Sequence, residues 1–134
     1  MKVILDANVL VSFLISGRAD LREVLLESDH EFFSPNFLFS EVFKYKERIM
    51  ERSRLAEDEL YELLLEILEK IDFSRTDFIS LRNKQKGYDL CKDIDVKDTL
   101  YVALTLEING RLWTDDKKLK KHLVKNGFTR FFQP

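Results

Sequence analysis

Asp6 interrupts an otherwise apolar run, VILDANVLV, where a bare charge is costly unless something compensates it. Asp93, Asp95 and Asp98 crowd the segment CKDIDVKD, and Asp115 and Asp116 follow the short apolar run RLWT. Glu41 is the remaining acid of interest. On a helix its neighbours three and four positions away are Phe37, Leu38, Lys44 and Tyr45, so its face is largely aromatic and aliphatic rather than wet. Carboxylates brought together in one cleft repel each other unless protons or cations compensate. Hard divalent cations with oxygen ligands meet that need, and Mg²⁺ typically takes one or two carboxylates and leaves its other positions for water and phosphate oxygens. The chemistry implied is metal-assisted attack of water on a phosphodiester. Any one of Asp95, Asp98, Asp115 or Asp116 taken alone reads as an ordinary cap or solvated acid. The site reading rests on their coincidence.

The elements around these acids explain how they could meet. Short β-like runs alternate with longer helical ones, which predicts an α/β domain with a mostly parallel sheet. Lys2–Leu5 reads as a buried strand running into Asp6, followed by a helix over Asn8–Ile15 that stops at Gly17. A second helix is expected from Asp20 as its cap, then a strand over Glu31–Ser34 closed by Pro35. Helical periods follow over Asn36–Glu51 and, most strongly, Glu57–Lys70, where Leu60, Leu63, Leu64, Ile67, Leu68 and Ile71 make one stripe. A short strand over Ile71–Phe73 precedes a helix capped by Thr76 and running towards Cys91, with Gly87 as a weak point. The last third predicts helix Lys97–Ile108, strand Arg111–Thr114, helix Asp116–Lys125 and a final strand Phe128–Phe132. Parallel strands bring their carboxyl ends to one edge, where open α/β sheets bind ligands. Asp6 and Asp115–Asp116 would therefore converge there, with the Asp95–Asp98 group on the same rim.

Composition narrows the classes. The 134 residues suit one domain spanning 1–134 and long enough to bury a substantial core. One cysteine excludes an internal disulfide, and no Cys/His spacing suits zinc. No export signal and no apolar run of membrane length is visible, so the expectation is a cytoplasmic protein without a membrane partner. The net charge of −2 does not advertise nucleic-acid binding across the whole chain, though local patches could provide it.

The chain resembles the PIN-domain nucleases over nearly its whole length. VILDANVLVSFLI looks like the family's first motif, with Asp6 and the small polar partner Asn8. SPNFLFSEVFKYKERI looks like the second, with Glu41 as its acid. DVKDTLYVALTLEINGRLWTDDKKL looks like the third and fourth, whose acids fall on Asp98 and, in the Thr-x-Asp turn that begins at Thr114, on Asp116. Asp95 could replace Asp98 and Asp115 could share the work of Asp116, since a shift of one loop swaps either pair. The resemblance implies a three-layer α/β/α sandwich, Mg²⁺ or Mn²⁺ dependence and cleavage of single-stranded RNA. Small members of this kind act as VapC-type toxins, usually homodimers silenced by a short antitoxin protein.

Phosphates approaching an acidic site need cations nearby. Lys117, Lys118, Lys120 and Lys121 follow the last motif, while Lys44, Lys46, Arg48, Arg52 and Arg54 lie beyond Glu41. Lys117, Lys118, Lys44 and Arg48 are the expected RNA contacts, with a solvated helix face as the competing reading. Among rivals, a dehalogenase-like phosphatase wants an acid two residues after Asp6, where Asn8 stands, and no glycine-rich turn or P-loop follows the first strand. A non-catalytic RNA-binding or regulatory PIN scaffold is the alternative from a different class.

Overall fold

The computed structural model describes residues 1–134. Four strands, β1 (Lys2–Leu5), β2 (Glu31–Pro35), β3 (Ile71–Ser74) and β4 (Arg111–Trp113), form one all-parallel sheet in the order β3-β2-β1-β4. In β1, Val3, Ile4 and Leu5 are all buried, as a strand covered on both faces requires. The chain first winds outwards from β1 to β2 and β3, then crosses back to place β4 on the other side of β1. The winding direction thus reverses between β1 and β4, and the crevice at their carboxyl ends is the topological switch point.

Helix α1 (Ala7–Ser16) leaves β1 directly and ends where Gly17 adopts φ 61°, its N–H donating to the Phe13 carbonyl at 2.8 Å. Helices α3 (Phe37–Lys44), α4 (Lys46–Arg52) and α5 (Glu57–Lys70) pack with α1 in one layer. The other layer is α7 (Thr99–Ile108), laid across β1, β2 and β4 and backed by α6 (Leu81–Cys91). Helix α7 is apolar around most of its circumference because sheet and α6 cover it from both sides. The result is the expected α/β/α sandwich around one apolar core. Helix α8 (Lys117–Lys125) completes the chain, and the four-residue α2 (Ala19–Arg22) precedes β2. No helix is long and apolar enough to cross a membrane.

Several boundaries differ from the sequence expectations. Asp20 does not cap α2; its carboxylate is held by Arg18 at 2.6 Å instead, and the helix widens into a π turn over Glu23–Glu27. The single helix expected over Asn36–Glu51 breaks at Tyr45, whose N–H is shared between the carbonyls of Glu41 and Val42. Thr76 opens only a 3-10 turn, and α6 starts later because the Ser80 hydroxyl accepts from the Asn83 N–H. Residues Val96–Asp98 form another 3-10 turn, capped by Asp95, before α7 begins. The final strand shrinks to one parallel bridge between Leu112 and Phe131, since β4 has only three residues to offer.

Candidate functional site

The register of the two central strands sets the site. Leu5 pairs with Trp113, so the next residues, Asp6 and Thr114, stand side by side at the carboxyl edge. The Asp6 N–H donates to the Trp113 carbonyl at 3.1 Å, which continues the ladder one step beyond β1. Asp6 and Thr114 are both buried. The Thr114 hydroxyl donates to Asp6 Oδ2 at 2.7 Å, and Thr114 Oγ1 in turn accepts from the Asp116 N–H at 3.2 Å and from Asn8 Nδ2 at 3.4 Å. One threonine therefore joins the segment after β1 to the turn after β4.

The other acids arrive from different elements. Asp116 caps α8, its Oδ1 accepting from the Leu119 N–H at 3.0 Å, and is half-buried. Asp98 stands at the N-terminal boundary of α7, its carboxylate making no capping hydrogen bond, and is also half-buried. Glu41 sits midway along α3, where the hydroxyl of buried Tyr101 on α7 donates to its Oε1 at 2.7 Å. Asp93, Asp95 and Asp115 are exposed; the Asp95 carboxylate accepts from the Lys97 N–H, and the Asp115 N–H reaches Asn8 Oδ1 at 3.4 Å.

Electrostatics show that the acids share one field. Burial pushes the Asp98 carboxyl up to about 8, and the negative charges of Asp6, Asp95, Asp116 and Glu41 push the same way. Burial likewise raises Asp6 to about 6; the Thr114 hydrogen bond opposes the rise and the charge of Glu41 adds to it. The Tyr101 phenol is raised by burial and by the carboxylate it serves, so it remains a donor.

The donor set is all oxygen. Cys91 lies near Asp98 and Asp95, but burial first, and those two charges second, push its thiol up to about 12, and a neutral thiol is a poor metal ligand. His30 packs edge-on against Phe32 and Phe132, away from the acids. No three of the acidic, imidazole or thiol groups stand close enough to form a ready-made cage. An all-oxygen donor set suits a hard cation better than a closed zinc site. Burial first, and the neighbouring carboxylates second, disfavour the charged form of Asp98; a divalent cation would offset both, so the residues fit one.

Cations stand around this acidic centre. Lys117 and Lys118 project from the first turn of α8, and Lys44 and Arg48 lie on α3 and α4, all exposed. None of these four forms an ion pair. Lys97 comes into contact with Lys44, and this neighbour holds the Lys44 ammonium below its ordinary value.

Sequence reasoning singled out neither Lys97 nor Tyr101. The signal for Tyr101 was present: a phenol one turn after Asp98 in an otherwise aliphatic buried helix needs a hydrogen-bond partner.

Against known proteins, the family model described as PIN domain matches residues 4–131. No curated protein matches the chain.

Proposed function

The chain belongs to the PIN-domain family, whose members are generally nucleases, and on that premise we propose that it is a metal-dependent endoribonuclease hydrolysing phosphodiester bonds of single-stranded RNA. The observation carrying this reading is that the charges of Asp6, Glu41 and Asp116, from three other segments, all bear on the half-buried Asp98 carboxyl.

Asp6, Glu41, Asp98 and Asp116 would hold Mg²⁺ or Mn²⁺, with Asp95 and Asp115 on the exposed rim as weaker candidates. When bound, the ion would polarise the phosphoryl group, lower the pKa of attacking water and offset charge on the leaving oxygen. The chain's own residues do the positioning. Thr114 fixes the rotamer of Asp6, the Leu119 amide fixes Asp116, and Tyr101 fixes Glu41. Asn8 braces Thr114 from the α1 side. Without a cation Asp98 keeps its proton near neutral pH, so loading the site releases that proton. Lys117, Lys118, Lys44 and Arg48 would take the flanking phosphates and offset the repulsion between substrate and acids.

The second reading is a non-catalytic RNA-binding scaffold, since a fold of this family does not by itself make an enzyme. Cleavage of labelled single-stranded RNA in Mn²⁺, Mg²⁺ or EDTA by the wild type and Asp6→Asn separates the two. Metal-dependent cutting lost on substitution supports the enzyme. No cutting, with no Asp6-dependent Mn²⁺ binding by calorimetry, supports the scaffold.

The proposal extends to a cytoplasmic toxin, acting as a homodimer and silenced by a small antitoxin protein. Its support is an apolar groove of about 270 Å³ between α3, α4 and α5, with Phe43 72% exposed at its lip, where such a partner would be accommodated. Growth arrest on expression, relieved by a neighbouring reading frame, tests it.

A further inference from the structure

Helix α1 buries most of its surface, yet Asn8, Ser12 and Ser16 repeat at a spacing of four and make one polar stripe along it. That stripe forms one wall of a groove of about 420 Å³, a volume within the range of small-ligand clefts. Tyr45 and Arg48, at the junction of α3 and α4, form the opposite wall, and Val11 and Ile15 supply its apolar lining. The break in the helix at Tyr45 turns this half-buried ring out of the α3 register. The Arg48 guanidinium lies 5.3 Å from the Tyr45 ring centroid and the Lys44 ammonium 5.6 Å from it. Neither cation has a carboxylate partner.

Asn8 links the groove to the acidic centre. It lines the groove and also reaches the Thr114 hydroxyl that holds Asp6. A flat ring, a guanidinium lying over it without a carboxylate partner, and small hydroxyl and amide groups make a set suited to a nucleotide. The ring and the guanidinium lying over it together present a stacking surface, the Arg48 fork also suits phosphate oxygens, and Asn8 and Ser12 supply donors and acceptors for sugar or base edges.

We propose that this groove is a nucleotide subsite, taking the unit next to the scissile phosphate with its base on Tyr45 and its far phosphate on Arg48. A base inside a duplex cannot present its face to Tyr45, so the subsite selects unpaired strands. Asp6 and its neighbours then meet the near phosphate while the cationic wall holds the next one, which separates the charges that attract RNA from those that repel it. This deepens the ribonuclease reading and rests on it.

The test is binding of a labelled single-stranded oligoribonucleotide in Ca²⁺, beside the same strand carrying an abasic ribose at each position in turn. Base–aromatic stacking sets the expected loss for Tyr45→Leu at about tenfold on the intact strand. At one abasic position the wild type should lose a similar factor, and Tyr45→Leu should lose little more. Equal affinity of wild type and Tyr45→Leu for the intact strand overturns the subsite, as does an equal loss on intact and abasic strands. If Tyr45→Leu fails to fold, exposed Arg48 decides: Arg48→Gln should lower the salt slope by about one phosphate, and an unchanged slope overturns the proposal. Cleavage in Mn²⁺ is measured alongside. Cutting without any Tyr45 effect on binding removes the subsite and keeps the nuclease, whereas a base-dependent Tyr45 effect without cutting keeps the subsite and removes the hydrolysis.

Discussion

The Thr114 hydroxyl donates to Asp6 Oδ2 at 2.7 Å across the junction of β4 and β1, and both residues are buried. This bond replaces water for a carboxylate that has little access to it. Thr114→Val keeps the shape and removes the donor, leaving a buried acceptor unsatisfied. The expected cost is about 1–3 kcal/mol in urea denaturation. Mn²⁺ affinity or activity should also fall, by roughly 10–100-fold, because Asp6 loses the group that orients it. Wild-type affinity and stability in Thr114→Val would mean the bond does neither job.

Asp98 gives a pH dependence of definite sign. Its folded pKa, about 8, lies above the ordinary carboxylate value of 3.8, so its contribution to stability is full below that ordinary value and is lost as pH rises towards 8. Asp6, raised to about 6, acts in the same direction over a narrower window. Metal-free wild type is therefore expected to lose melting temperature between pH 5 and pH 8 relative to Asp98→Asn, which cannot ionise there. Mn²⁺ should restore the wild type most at pH 8 and Asp98→Asn hardly at all. Parallel melting curves for the two proteins across this range would count against a shared acidic field.

Gly87 offers a prediction about packing. A Cβ added there would stand 2.8 Å from the Thr99 carbonyl oxygen and 3.1 Å from the Ala103 Cβ, so α6 and α7 approach each other only because this residue lacks a side chain. Gly87→Ala raises local helix propensity, yet it should destabilise the protein by about 1–3 kcal/mol through overpacking. Thr99 and Ala103 lie just after Asp98, so the displacement should also weaken Mn²⁺ binding. A stabilised Gly87→Ala variant would show that α6 moves aside at no cost.

What could be read from the residues follows from how local each signal is. The runs KVIL and RLWT, each ending in an acid or a threonine–acid turn, gave away the strands and the sheet edge beyond which Asp6 and the Thr114 turn follow. The stripe Leu60–Leu63–Ile67 gave away α5 to the residue. Features decided by contacts distant in sequence stayed hidden. Gly87 reads as a helix weak point until Thr99 and Ala103 are placed against it. The break at Tyr45 depends on a shared backbone hydrogen bond that periodicity does not encode. FTRFF has the composition of a strand, but three-residue β4 gives it a single bridge. Asp95 and Asp98 are alike in sequence; only the 3-10 turn that exposes the first and half-buries the second tells them apart.

Tyr101 and Glu41 lie 60 positions apart, yet the phenol hydroxyl of one donates to Oε1 of the other at 2.7 Å. Tyr101 is buried at its ring while Glu41 is half-buried, so the bond carries the orientation of α7, which begins just after Asp98, across to α3. Tyr101→Phe keeps the ring and its tilted contact with Phe37, 6.3 Å between centroids, and so should change stability by no more than about 1 kcal/mol. Water can solvate the released Glu41 oxygen but cannot hold it in one place. Mn²⁺ affinity by calorimetry and kcat on single-stranded RNA should therefore fall by roughly 10–100-fold, the usual effect of removing a group that orients a metal ligand. Excess Mn²⁺ should recover part of the activity, since the ligand is loosened rather than removed, whereas Glu41→Gln should not recover. Wild-type metal affinity in a stable Tyr101→Phe protein would reduce the tyrosine to a packing residue and leave Glu41 positioned by α3 alone.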